Sequence, residues 1–176
     1  MTTVFSGKAF VTDDNTTAYK ISYSKRWNEC GTDADALGEW LFEPIIPEYE
    51  NIPGAFKALG YRIIVSGSDF GGGFKTKDQP VLTVKGAGIH LIIAESFNRI
   101  FFRNAINLGM PVLVCPGILN LVKEGDEIEG DIATGLVKNL TTGDILQGEP
   151  LSDLAVELIS AGGLLPFWKE KLKKQA

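Results

Sequence analysis

Histidine, cysteine and basic charge are scarce in this chain. Its 176 residues include one His and two Cys, and 17 Lys and Arg stand against 22 Asp and Glu. Cys30 and Cys115 are too few for a disulfide framework and lack paired metal-ligand spacing, which points to a reducing, cytoplasmic setting. His90 lies between Ile89 and Leu91 in an apolar run, where a core or edge histidine is favoured over a ligand. A metalloenzyme confined to this chain is therefore disfavoured, although Asp and Glu leave a hard-cation site open. The net charge of -5 argues against nucleic-acid binding, which needs a basic face. The one dense basic run, Lys169, Lys171, Lys173 and Lys174, reads as a solvated helix end. No stretch approaches membrane-spanning length and Met1 to Lys8 has no apolar signal core, so a soluble protein is expected. Repeats, low-complexity tracts and interdomain linkers are also missing, and residues 1–176 are expected to form a single domain.

What is present is a succession of short apolar runs separated by glycine-rich turns. Val4 to Val11 predicts a strand with Gly7 as a candidate bulge, followed by a polar loop over residues 12–17. Tyr19, Ile21 and Tyr23, spaced by two, predict a second strand. Thr32 or Asp33 caps a helix carrying Ala36, Leu37, Trp40 and Leu41, and Pro44 and Pro47 end it. Residues 43–52 are expected to be extended, and Pro53 to open a short helix that Gly60 stops. Tyr61 to Val65 and Ile89 to Ala94 are buried strands flanking a helix over residues 78–85. Ser96 is expected to cap a helix over residues 97–108, with Gly109 closing it and a strand over residues 112–115 beyond. These are β-α-β steps with parallel strands. Residues 127–132, 136–140 and 145–147 predict antiparallel hairpins. A helix over residues 152–160 and a last helical turn with Trp168 complete the chain. The fold class is α/β, a parallel sheet core with β-hairpin additions.

One stretch concentrates features of a ligand loop. Ser66-Gly67-Ser68-Asp69-Phe70-Gly71-Gly72-Gly73-Phe74-Lys75-Thr76 follows a buried strand and precedes Pro80, which can open a helix. Consecutive glycines permit φ > 0 and leave backbone N–H groups free to face an anion. A phosphate loop requires Gly where Phe74 and Asp69 stand, and a dinucleotide fingerprint requires Gly where Thr76 stands, so neither pattern matches. A tight strand-to-helix turn without a ligand is the plainer alternative.

The order of motifs resembles the small subunits of isopropylmalate dehydratase, the swivelling β/β/α domain of the aconitase family. The resemblance is carried by Gly67-Ser68-Asp69-Phe70-Gly71-Gly72-Gly73, by Gly86-Ala87-Gly88-Ile89, and by the continuous stretch from Ala94-Glu95-Ser96-Phe97-Asn98-Arg99 to Gly109-Met110-Pro111. Gly125-Asp126-Glu127, Asn139 to Gly143 and Ala161-Gly162-Gly163-Leu164 extend it over nearly the whole chain. It implies a hydro-lyase that dehydrates and hydrates a small hydroxy-diacid. It also implies a large partner subunit whose three cysteines hold a [4Fe–4S] cluster acting as Lewis acid, with this chain binding none. Isopropylmalate is the leading substrate; a dimethylmalate- or malate-type acid and a non-catalytic scaffold role are the alternatives. Leucine biosynthesis and a heterodimer follow from the leading reading, and higher oligomers stay open.

The family loop reads Gly-x-Asn-Phe-Gly-Cys-Gly-Ser-Ser-Arg-Glu-His, its first Ser acting as base and its Arg holding a carboxylate. Phe74, Lys75 and Thr76 occupy those Ser, Ser and Arg positions, and Phe74 cannot accept a proton. A Thr-Asp pair of the family maps onto Thr17 and Ala18, losing the acid. A branch with a Gly-Gly-Gly-Gly-Lys loop is similar to Gly71-Gly72-Gly73-Phe74-Lys75. Lys75 and Thr76 are therefore the candidate catalytic residues, and Gly71, Gly72, Gly73, Lys75 and Thr76 the candidate substrate-binding set. Lys75 either replaces the arginine or, with its pKa lowered by desolvation, the serine base, or is a solvated lysine on a loop tip. Arg99 and Arg103 share a helix face and are expected to pair with acids such as Glu95 or to contact ligand.

Overall fold

β2 (Ile63–Ser66) and β3 (Leu91–Ala94) are buried along their whole lengths, which accounts for their unbroken apolar character. β1 (Val4–Thr12) and β4 (Val112–Val114) flank them, and all four run parallel. The computed structural model describes residues 2–73 and 77–175, with side chains through residue 173. β1 serves two partners: Ala9 to Thr12 pair with β2, while Val4 to Lys8 pair antiparallel with β5 (Glu127–Asp131). Gly7 keeps register with Ile128, so the pairing with β5 runs on without the expected bulge. β6 (Leu136–Asn139) and β7 (Ile145–Gln147) continue the antiparallel half, giving the order β4-β3-β2-β1-β5-β6-β7.

Each step from β1 to β4 moves in the same direction, so right-handed crossovers bring the intervening helices to one face. On that face Ile64, Ile92, Ala94 and Val112 pack against Val81 and Val84 of α4 (Gln79–Gly86) and Phe101 and Ala105 of α5 (Arg99–Asn107). The alternate residues Ile63, Val65, Leu91, Ile93 and Leu113 face Ile128, Ile132 and Val137 from the hairpins. They also meet Ile118 of α6 (Ile118–Leu121) and Val156 and Ile159 of α7 (Asp153–Ser160). Truncating any of the central Ile or Leu side chains to Ala is expected to cost about 2–5 kcal/mol.

Between β1 and β2 the expected second strand is absent. Residues 18–30 form α1 (Ala18–Ile21) and α2 (Ser24–Cys30), followed by α3 (Ala34–Gly38). The period-two spacing of Tyr19, Ile21 and Tyr23 gives way because β1 and β2 pair directly, leaving no strand position between them, and Thr17 caps α1. Asp33 caps α3 as expected, accepting from the Ala36 N–H. Residues 43–52 are turns with a 3-10 segment at Pro47–Tyr49 rather than extended chain, and a second 3-10 segment, Lys57–Leu59, ends at Gly60.

This insertion is fixed by a buried pair: Arg26 donates to Glu43 at 3.0 and 2.7 Å and lies 3.5 Å over the Trp40 ring. Burial alone would raise the Glu43 pKa, but the Arg26 hydrogen bonds, the Asn51 N–H and the charges of Arg26 and Lys25 hold it below its ordinary value. α3 crosses α4 at backbone contact, since a Cβ on Gly86 would sit 1.6 Å from the Ala34 carbonyl oxygen. The chain ends in α8 (Leu164–Gln175), three turns where a single helical turn was expected. Among the described residues no helix is long and apolar enough to cross a membrane.

Candidate active site at the carboxyl edge of the parallel strands

The glycine-rich turn leaves the carboxyl end of β2, where parallel α/β sheets place their ligand loops. It is stitched on both sides by bonds between residues far apart in sequence. Toward the loop after β1, the Ser68 N–H donates to the Asp14 carboxylate at 2.6 Å and the Asn15 N–H to the Ser68 carbonyl at 2.8 Å. The Gly71 N–H donates to Thr16 and the Ala18 N–H to Gly72, each at 2.8 Å. Toward the loop after β3, the Asp69 and Phe70 N–H groups donate to the Ser96 hydroxyl and carbonyl, each at 3.0 Å, and the Asn98 N–H donates to Phe70 at 2.9 Å. Ser96 therefore clamps the turn instead of capping α5, a task that falls to Asn98 through the Ile100 N–H.

Phe70 anchors the turn, fully buried and edge-on to Phe101 at 5.2 Å. Gly71 is required on two counts: its φ is +80°, and a Cβ there would lie 2.2 Å from the Phe101 ring. These contacts bear on the expected binding set. The Gly71 N–H is spent on Thr16 and the Gly72 N–H on Asp69 at 3.4 Å, so neither faces outward freely. Gly73 is exposed, and its N–H makes no hydrogen bond among the described residues. Lys75 and Thr76 lie outside the described residues, so their expected catalytic and binding roles have no geometry here.

Beside Gly73 stands an aromatic wall that the sequence pattern concealed. A Cβ on Gly73 would lie 3.8 Å from the Tyr19 ring, which stacks on Trp27 with centroids 5.5 Å apart, and Lys77 lies over the same indole. The strand-like spacing of Tyr19 disguised it; the run Lys75-Thr76-Lys77 was the available signal for the lysine. Around Ser96, Arg99 and Arg103 line a shallow cavity of about 350 Å³ with Phe97, Phe102 and Glu149. Neither arginine has an ion-pair partner among the described residues, so the expected pairing with Glu95 is not made.

The donor set does not suit an iron–sulfur cluster. Among the described residues no three His, Cys, Asp or Glu side chains gather as metal ligands. Burial raises the Cys30 thiol pKa, and burial together with Glu95 pushes Cys115 up to about 11. His90 is exposed at the opposite edge of the sheet, its N–H bonded to the Arg62 carbonyl, an edge rather than a core position.

Residues 18–116 match the family model described as the aconitase C-terminal domain. The chain is 48% identical over 140 residues to a 3-isopropylmalate dehydratase small subunit of Pyrobaculum calidifontis, covering 80% of this chain and 83% of the relative. It is 52% identical over 110 residues, 62% of this chain and 65% of the relative, to an isopropylmalate/citramalate isomerase small subunit of Methanocaldococcus jannaschii. The crystal structure of a 3-isopropylmalate dehydratase from that organism superposes with a TM-score of 0.83 at 26% identity, covering 98% of this chain and 97% of the other.

Proposed function

The chain belongs to the aconitase C-terminal domain family, and from that premise we propose that it is the small subunit of a hydro-lyase of the 3-isopropylmalate dehydratase type. The observation that carries the reading is the stitched glycine turn. Its backbone is held on both flanks up to Gly72, and Gly73, whose N–H makes no hydrogen bond among the described residues, lies beside Tyr19.

Activity then requires a large subunit, because Cys30 and Cys115 are too few to hold such a cluster and no ligand group gathers among the described residues. In the assembled enzyme the partner's [4Fe–4S] cluster supplies Lewis acidity toward the substrate hydroxyl and carboxylate. This chain contributes backbone and side-chain groups that bind and orient the hydroxy-diacid. The Gly73 N–H is an anion donor, Thr76 supplies a hydroxyl, and Lys75 is the candidate to replace the absent serine base or to hold a carboxylate. The substrate is a small hydroxy-diacid with 3-isopropylmalate in first place. The Methanocaldococcus jannaschii relative, named for isopropylmalate and citramalate, supports keeping shorter acids in the assay panel. A cytoplasmic site of action accords with this biosynthetic role.

Co-purification with the large subunit under anaerobic conditions, followed by a hydration and dehydration assay, tests the reading. Turnover is expected only with both chains present, and Lys75→Ala is expected to lower kcat/KM at least about a hundredfold. Unchanged turnover in that variant removes Lys75 from the mechanism. A large subunit fully active alone makes this chain a scaffold.

A further inference from the structure

We propose that Lys77, seated on the Trp27 indole, binds a substrate carboxylate; the assignment deepens the hydro-lyase reading and rests on it. Lys77 is exposed, has no ion-pair partner among the described residues, and places its Nζ 5.6 Å from the Trp27 ring centroid. An aromatic face under an ammonium restrains it without neutralising it, unlike a carboxylate partner. The lysine keeps its charge for a ligand.

The indole is held by a buried chain of hydrogen bonds whose direction is determined. Trp27 Nε1 can only donate, and does so to Ser22 Oγ at 2.6 Å. Thr83 Oγ1 donates to the Gln79 carbonyl at 2.8 Å, so the 3.2 Å contact between the two hydroxyls has Ser22 as donor. Ser22 and Thr83 are fully buried, and every member of the chain is satisfied. The chain ends at Gln79, the first residue of α4 and two positions beyond Lys77. The start of the helix following the glycine turn and the indole under Lys77 are thereby fixed to each other. A satisfied buried network of this kind orients a ring more tightly than apolar packing alone.

Tyr19 stacks on Trp27, which is itself buried. Gly73, whose N–H makes no hydrogen bond among the described residues, adjoins Tyr19, and Lys77 lies over Trp27. The Gly73 N–H and the Lys77 ammonium, two anion-binding groups, suit a short dicarboxylate with one carboxylate toward each. Lys77 acts as a binding residue, and Trp27 as the residue that positions it.

Steady-state kinetics of the two-subunit complex test this. Lys77→Met is expected to raise KM for the diacid about tenfold or more with kcat within about twofold, and Lys77→Arg to recover most of that loss. Trp27→Phe is expected to raise KM less, and to add little in the Lys77→Met background, because it acts through the lysine. An unchanged KM for Lys77→Met in a complex of normal turnover overturns the assignment. A second measurement uses the chain alone: its Trp27 indole N–H resonance is followed as 2-isopropylmalate or citramalate is added. A saturable shift, lost in Lys77→Met, upholds the site even if the complex proves inactive on every diacid, in which case the hydro-lyase reading fails separately. With an inactive complex, absence of a shift overturns the carboxylate site.

Discussion

At the carboxyl edge of β1 to β4, three loops are tied to one another by backbone and side-chain bonds, and the backbone turns left-handed at Asn15, Asp69, Gly71 and Gly73. At the amino edge lies a roomier cavity of about 530 Å³, lined by Phe5, Lys85, His90, Met110 and Ile159 among others. The roomier edge holds the lone histidine and an exposed lysine, Lys85, yet it is electrostatically the poorer anion site. α4, α5 and α7 all end there, presenting carbonyl-rich helix C-termini. Lys85 is already committed, its ammonium donating to the Leu108 carbonyl at the end of α5, and burial lowers its pKa. At the other edge stand the Gly73 N–H and three cations, Lys77, Arg99 and Arg103, that have no ion-pair partner among the described residues. Volume and chemistry separate in this fold: the roomier space lies at the edge that is poorer in anion donors.

The sharpest way to break the comparison is to loosen what holds the carboxyl edge. Glu43→Gln takes the buried carboxylate away from Arg26, leaving it only the exposed Glu29 as a charge partner, and is expected to destabilise the fold by about 3 kcal/mol, read by urea denaturation. The native pair also gives stability a pH dependence. Because the Glu43 pKa is lower folded than unfolded, its contribution is complete above the unfolded value of about 4.3 and is lost as pH falls through the folded one. The acid limb of the stability curve should therefore flatten in Glu43→Gln. Gly71→Ala is expected to cost about 2 kcal/mol and to abolish turnover in the complex, since the Phe101 ring and the positive φ both oppose a methyl group. Cys115, buried and pushed up to about 11, is expected to react with a disulfide reagent at pH 8 only on unfolding, whereas Cys30, half-buried, reacts from the native state. The smallest effects belong to the amino edge: His90→Ala should leave turnover unchanged and shift stability by no more than about 0.5 kcal/mol.

The parts of this fold that could be read from sequence are those decided locally. β2 and β3 are unbroken apolar runs because both of their faces are covered, and the Asp33 cap and the Gly60 stop are set by neighbouring residues. The glycine-rich stretch, too, was legible from Gly71 to Gly73 as a turn after the buried strand β2. What could not be read depends on distant partners. Ser96 resembles an N-cap but clamps Asp69, 27 residues away, and Asp14 reaches Ser68 across 54 residues. Tyr19 and Ile21 alternate like a strand, but the direct β1 and β2 pairing turns that stretch into a helix and brings Tyr19 onto Trp27. The open donors of the loop were overcounted partly for the same reason: the acceptor that consumes Gly71 lies on distant Thr16, while Gly72 turns back onto nearby Asp69.

Hydrogen–deuterium exchange of the chain alone and bound to its large subunit tests the central claim most directly. Protection on binding is expected over Thr16 to Tyr19 and Asp69 to Gly73, with His90 and Met110 at the amino edge unchanged. Protection confined to His90, Gly109 and Met110, with the glycine turn unaffected, would contradict the assignment of the carboxyl edge as the face that closes over the partner's site.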